Sequence, residues 1–130
     1  MLMYMQMQSE KNIHIMICDY LRVKYPDVLF RTDLGGIKLT MGQATQVKRM
    51  QGGKRAWPDL FIAEPRGKYS GLFIELKAAN IYKKDGSLRK DDHLYEQSEM
   101  LTRLEARGFK ALFAVGFERA AAIIDEYLSL

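Results

Sequence analysis

Apolar residues recur at helical spacing from Ile13 through Met16, Ile17, Tyr20 and Leu21 to the aliphatic stem of Lys24, the period of one buried helix face. Ser9 stands where an N-cap belongs and Pro26 bars continuation, so the pattern predicts a first helix over about 10–24. Val28-Leu29-Phe30-Arg31-Thr32 reads as a strand ended by Gly35-Gly36, since glycine reaches backbone angles closed to other residues. Residues 40 to 51 form a weaker helix with Met41, Ala44 and Val47 turned inward. After Gly52-Gly53 come two short strands, Asp59 to Ala63 and Leu72 to Lys77, joined by a segment of turn composition, Glu64 to Gly71. This is the local signature of a hairpin. A helix over about 92–107 follows, striped by Leu94, Gln97, Leu101 and Leu104 and stopped by Gly108. The uninterrupted run Ala111 to Val115 predicts a buried strand. A last helix carries Ala120, Ile123, Ile124, Tyr127 and Leu128. The order is αβ(α)ββαβα, an α/β sandwich.

Composition narrows this without changing it. With 130 residues, 48% hydrophobic and 28% charged, the chain predicts one domain over 9–130 behind a flexible, methionine-rich start over 1–8. It shows neither a cleavable leader pattern nor an apolar run near the roughly 18 residues of a membrane span, so no membrane association and a cytoplasmic protein are expected. That means the nucleoid or, for a viral protein, the host cytoplasm. The single cysteine, Cys18, excludes an internal disulfide framework and a thiolate metal cage, and is expected in the core. A net charge of +4 suits a polyanionic partner. Its placement matters more: Lys48, Arg49, Lys54 and Arg55 precede Asp59, and Lys83, Lys84, Arg89 and Lys90 follow Lys77. Each group alone reads as a solvated loop, but together they flank one motif, which favours contacts to a nucleic acid.

That motif is Pro58-Asp59 with Glu75-Leu76-Lys77. Strand alternation puts Leu72, Ile74 and Leu76 on one face and Phe73, Glu75 and Lys77 on the other. The same rule separates Leu60 and Ile62 from Asp59, Phe61 and Ala63. Pairing as a hairpin, with Asp59 opposite Glu75 or Lys77, brings the three polar side chains within roughly 5 to 8 Å of one another. Two carboxylates so close repel, and a hard cation relieves the repulsion by accepting their oxygens. A neighbouring lysine then suits activation of water or stabilisation of charge on a phosphate. The competing reading is a plain cross-strand salt bridge. Two polar residues weigh against it. Gln97 occupies a slot in a buried stripe where leucine is expected, and Glu10 lines up with Ile13 and Ile17 on the core-facing side of the first helix. A first-turn glutamate also has a simpler use, favouring the helix dipole. His14 and His93 read as structural or exposed, and Trp57 as packing or as a stacking surface for a base or ribose.

Taken together, Glu10, Asp33-Leu34-Gly35-Gly36, Pro58-Asp59-Leu60, Pro65-Arg66-Gly67, Gly71 to Lys77, Gln97 and Gly108 with its apolar strand resemble the virus-type replication-repair nucleases, the VRR-NUC domains of the PD-(D/E)xK superfamily. The resemblance spans nearly the whole chain. It implies a restriction-endonuclease-like core with a mixed central sheet flanked by helices, and Mg²⁺- or Mn²⁺-dependent cleavage of DNA. Asp59, Glu75 and Glu10 would then hold metal, Lys77 would assist the attacking water, and Gln97 would complete the catalytic set. Stand-alone members are similar to Holliday junction resolvases, implying branched DNA, a homodimer and no nucleotide cofactor. The chain departs from many relatives at Ala56-Trp57, where a small residue is usual before the proline. The alternative reading is a non-catalytic nucleic-acid-binding protein that retains the fold.

Overall fold

The structure is a computed structural model and describes residues 9–33, 38–51 and 56–130. The expected flexible start, the Gly35-Gly36 and Gly52-Gly53 breaks, and Lys54 and Arg55 lie outside the described residues. Among the described residues eight elements follow the expected order: α1 (Glu10–Lys24), β1 (Phe30–Thr32), α2 (Met41–Met50), β2 (Leu60–Ile62), β3 (Leu72–Lys77), α3 (Asp92–Glu105), β4 (Lys110–Val115) and α4 (Phe117–Leu128). Ser9 caps α1 by accepting from the Asn12 amide, and Thr40 and Gln43 close a reciprocal capping box on α2.

The four strands lie in the order β1-β2-β3-β4, antiparallel between β1, β2 and β3 and parallel between β3 and β4. The parallel step needs a crossover, which α3 supplies. Helices α1 and α4 cover one face, where Ile13, Ile17, Leu21, Ile123 and Ile124 meet Leu60, Ile62, Leu72, Ile74 and Leu76. On the other face Met100, Leu101 and Leu104 of α3 pack against Phe73 and Ala111. A polar latch joins α1 to α4: the hydroxyls of Tyr20 and Tyr25 donate to Asp125, and Lys24 lies 3.2 Å from it.

Three expectations need correcting. No residue of α2 is buried and Met41 is 90% exposed, because the helix does not lay a face on the sheet. The apolar run of β4 is only half covered, with Ala111 and Ala114 buried and Leu112, Phe113 and Val115 partly open. It is an edge strand among the described residues, so continuous hydrophobicity does not here mean burial on all sides. Cys18 is half-buried rather than in the core.

Candidate active site

The site is built by register. Arg31 pairs with Phe61, and Phe61 with Phe73, so these three form a row across the sheet. Two residues further along each strand, the same registers lead from Asp33 to Asp59 to Glu75. The Asp33 amide donates to the Asp59 carbonyl at 2.8 Å, which carries the pairing past the end of β1. Both rows face the α3 side, because Leu60, Leu72 and Ile74 take the opposite one. An aromatic row and a carboxylate row therefore run side by side, about 7 Å apart at two residues of strand rise.

Each member of the carboxylate row is held from a different element. Asp59 Oδ2 accepts the Leu76 amide at 2.8 Å. Glu75 is 5% exposed, and its Oε2 accepts from Gln97 Nε2 of α3 at 2.9 Å and lies 3.7 Å from Lys77 Nζ. Lys77 Nζ is also 3.8 Å from Glu10 Oε1 at the start of α1. Burial, with the Asp59 carboxylate beside it, pushes the Glu75 carboxyl up to about 8 despite the opposing pull of Lys77. The five residues expected from the sequence thus form one connected set. One detail differs: the Glu10 carboxylate is half open to solvent rather than turned into the core, since the first turn of α1 overhangs the sheet's end and reaches Lys77.

The sequence reading missed two polar neighbours. His93 stands one turn before Gln97 on α3, 3.2 Å from its amide nitrogen. The i, i+4 spacing of His93 and Gln97 was the available signal. Asp33 joins the row through the extended register, and Gln51 Nε2 at the end of α2 donates to its Oδ1 at 3.3 Å. Extending the hairpin pairing by one strand would have found it.

Among the described residues no three His, Cys, Asp or Glu side chains close on a common point as a self-sufficient metal cage. The donors nevertheless suit a small hard cation. Asp59 and Glu75 offer only oxygens, and Mg²⁺ keeps several waters while taking one or two carboxylates. Their mutual repulsion favours a positive charge between them, and the buried Gln97 Oε1 has no hydrogen-bond partner. A cleft of about 640 Å³ runs from Glu10 and Asp59 along α1 past His14 and Cys18 to Arg22. A pocket of about 300 Å³ opens beside it, and the two share Thr32 and Asp33.

Of the expected DNA contacts, Lys48 and Arg49 are exposed on the last turn of α2, one turn before Gln51. Lys83, Lys84, Arg89 and Lys90 are exposed on an excursion between Ile81 and α3, closed by the Tyr82–Leu88 bridge. The second group sits on a segment that runs into α3, and α2 ends at Gln51, which reaches Asp33. No helix among the described residues is long and apolar enough to cross a membrane.

No protein-family model matches the chain, and no curated protein matches it. Among solved structures, a VRR_NUC domain protein superposes with a TM-score of 0.65 at 23% identity, covering 95% of this chain and 90% of that one. The resemblance drawn from the motifs is upheld at the level of the fold: a mixed four-stranded sheet flanked by helices in a VRR-NUC arrangement.

Proposed function

From that fold, we propose that the protein is a metal-dependent endonuclease that hydrolyses phosphodiester bonds of DNA. The observation that carries the reading is Glu75, a buried carboxylate beside Asp59 with Lys77 and Gln97 on its other sides. Such a group is costly to ionise without a cation, and a cation bound there would face the mouth of a cleft. Asp59 and Glu75 would hold Mg²⁺ or Mn²⁺, with Glu10 joining if it leaves Lys77. When bound, the metal supplies a water of lowered pKa and withdraws charge from the phosphate. Lys77, 12% exposed and fixed between two carboxylates, directs the attacking water or meets charge developing on the phosphate oxygens. Gln97 holds Glu75 in one orientation, and His93 holds Gln97.

The exposed lysines and arginines on α2 and on the 82–90 excursion favour contacts to phosphates rather than to base edges, hence selection by DNA shape. The substrate we propose is branched DNA such as a four-way junction, cut by a homodimer whose symmetry matches the junction. Val23, 84% exposed on α1, is apolar surface such a dimer would cover.

The test incubates purified protein with a four-way junction, linear duplex and single strand, in Mg²⁺, Mn²⁺ or EDTA. Metal-dependent cutting that is strongest on the junction and lost in Asp59→Ala and Lys77→Ala supports the reading. Absence of cutting on every substrate overturns it. A second reading, a non-catalytic DNA-binding protein, draws on the ion pair that keeps Glu10 on Lys77 instead of with the other carboxylates. It predicts DNA binding that survives EDTA without any cleavage.

A further inference from the structure

The aromatic row beside the carboxylates has a shape of its own. Phe61 and Phe73 stack with ring centroids 4.4 Å apart and planes 23° apart, and both line the smaller pocket. Gly71 leaves room for the Phe61 ring: a Cβ there would come within 2.8 Å of that ring and 3.0 Å of the Ile62 carbonyl oxygen. Trp57 lies with its ring 6.0 Å from Phe73 and is 41% exposed, an unusual position for so large an apolar surface. Arg31 is exposed at the outer end of the row, and the Gln51 amide lines the same rim. Among the described residues helix α3 lies over β4, reaching Phe73 of β3, and does not close the β1–β2 half of this face.

We propose that this pocket takes one unpaired nucleobase of the DNA strand whose phosphate lies at the Asp59–Glu75 row. The identification of the ligand as DNA rests on the nuclease reading. Several features point to a base. At about 300 Å³ the pocket is at the small end of ligand sites, which run from roughly 300 to 1,000 Å³, so it suits one planar ring system rather than a paired step. Its exposed surfaces are an indole and a guanidinium, the two side chains that stack best on a base without reading its identity. Its position two residues along the strands from the carboxylates puts a base and a neighbouring phosphate within reach of one another. A base in a duplex has both faces stacked on its neighbours, so the pocket selects strands with a base already free, as at a flap or a gap.

Trp57 is the chain's only tryptophan, so its fluorescence reports this pocket alone. The experiment titrates the protein, in EDTA and low salt, with a short single-stranded deoxyadenosine oligomer and with an abasic oligomer carrying the same number of phosphates. Saturable quenching by the first and little by the second is the expected result. Trp57→Ala should weaken binding of a labelled deoxyadenosine oligomer, read by anisotropy, by about 5- to 150-fold, the usual worth of one stacked base. Trp57→Phe should restore part of it, and the abasic strand should bind both variants as it binds the wild type. Equal quenching by the two strands, or unchanged affinity in Trp57→Ala with a native circular dichroism spectrum, would overturn the proposal. Because no metal is present, the result is independent of cleavage: base-dependent quenching in a protein that never cuts DNA sustains the pocket while refuting hydrolysis.

Discussion

The two faces of β3 are built from one six-residue strand and differ in kind. Toward α1 and α4 it presents Leu72, Ile74 and Leu76, each at most 1% exposed and surrounded by aliphatic side chains. Toward α3 it presents Phe73, Glu75 and Lys77, and there the helix contributes Gln97 in place of another leucine. The first face gains from burial roughly in proportion to apolar area. The second gives up part of that gain, because a buried carboxylate beside another carboxylate is worse off than a methyl group would be. A strand anchored so firmly on one side can carry an unfavourable charge on the other without shifting register, since a slip of one residue would expose every aliphatic side chain at once.

Four experiments can break this division between an anchoring face and a chemical one. The largest effect is expected from Lys77→Ala, which should lower metal-dependent cleavage by about 10²- to 10⁴-fold in single-turnover assays while leaving the thermal midpoint near that of the wild type. Unchanged cleavage would remove Lys77 from the chemistry. Next, Ile74→Ala should cost about 2 to 5 kcal/mol in urea unfolding, as large-to-small changes in tight cores do. If it costs less than 1 kcal/mol, the aliphatic face is not the anchor. Gln97→Leu should fold at least as stably, because the stripe becomes uniformly apolar, yet weaken Mn²⁺ binding by about 10- to 100-fold in calorimetric titration by freeing Glu75. A destabilised variant with native metal affinity would reverse the assignment.

The fourth test is a pH dependence. Glu75 holds its proton to about 8 in the folded protein against an ordinary value of 4.5. Over that window the folded chain binds more protons than the unfolded one, so its stability is greatest at the acidic end and falls as pH rises toward 8. Without metal, melting between pH 5 and 8 should show the wild type losing stability relative to Glu75→Gln. Added Mn²⁺ should offset the loss by binding the ionised carboxylate, releasing a proton below pH 8. Parallel melting curves for the two proteins would show that Glu75 ionises freely.

Much of this was legible locally. Strand alternation assigns the faces of β3, because side chains must point to opposite sides of any extended chain. The helical period marks Gln97 as buried before its partner is known. Caps and breakers place α1 correctly, since Ser9 and Pro26 act through backbone hydrogen bonds a few residues away. Where the reading went astray, a distant part of the chain decided: β4 is a continuous apolar run whose burial depends on whether a further strand lies beside it, and Met41 is exposed because α2 finds no partner layer among the described residues.

The sequence by itself determined which side chains could act together on one strand, and therefore that two carboxylates and a lysine flank a common face. Tertiary structure decided that Asp59 lies opposite Glu75, that Glu10 comes to Lys77 and His93 to Gln97, and that an aromatic row runs beside them. Alternation is a property of each residue and its neighbours, whereas register and coverage depend on contacts that exist only once distant segments have packed.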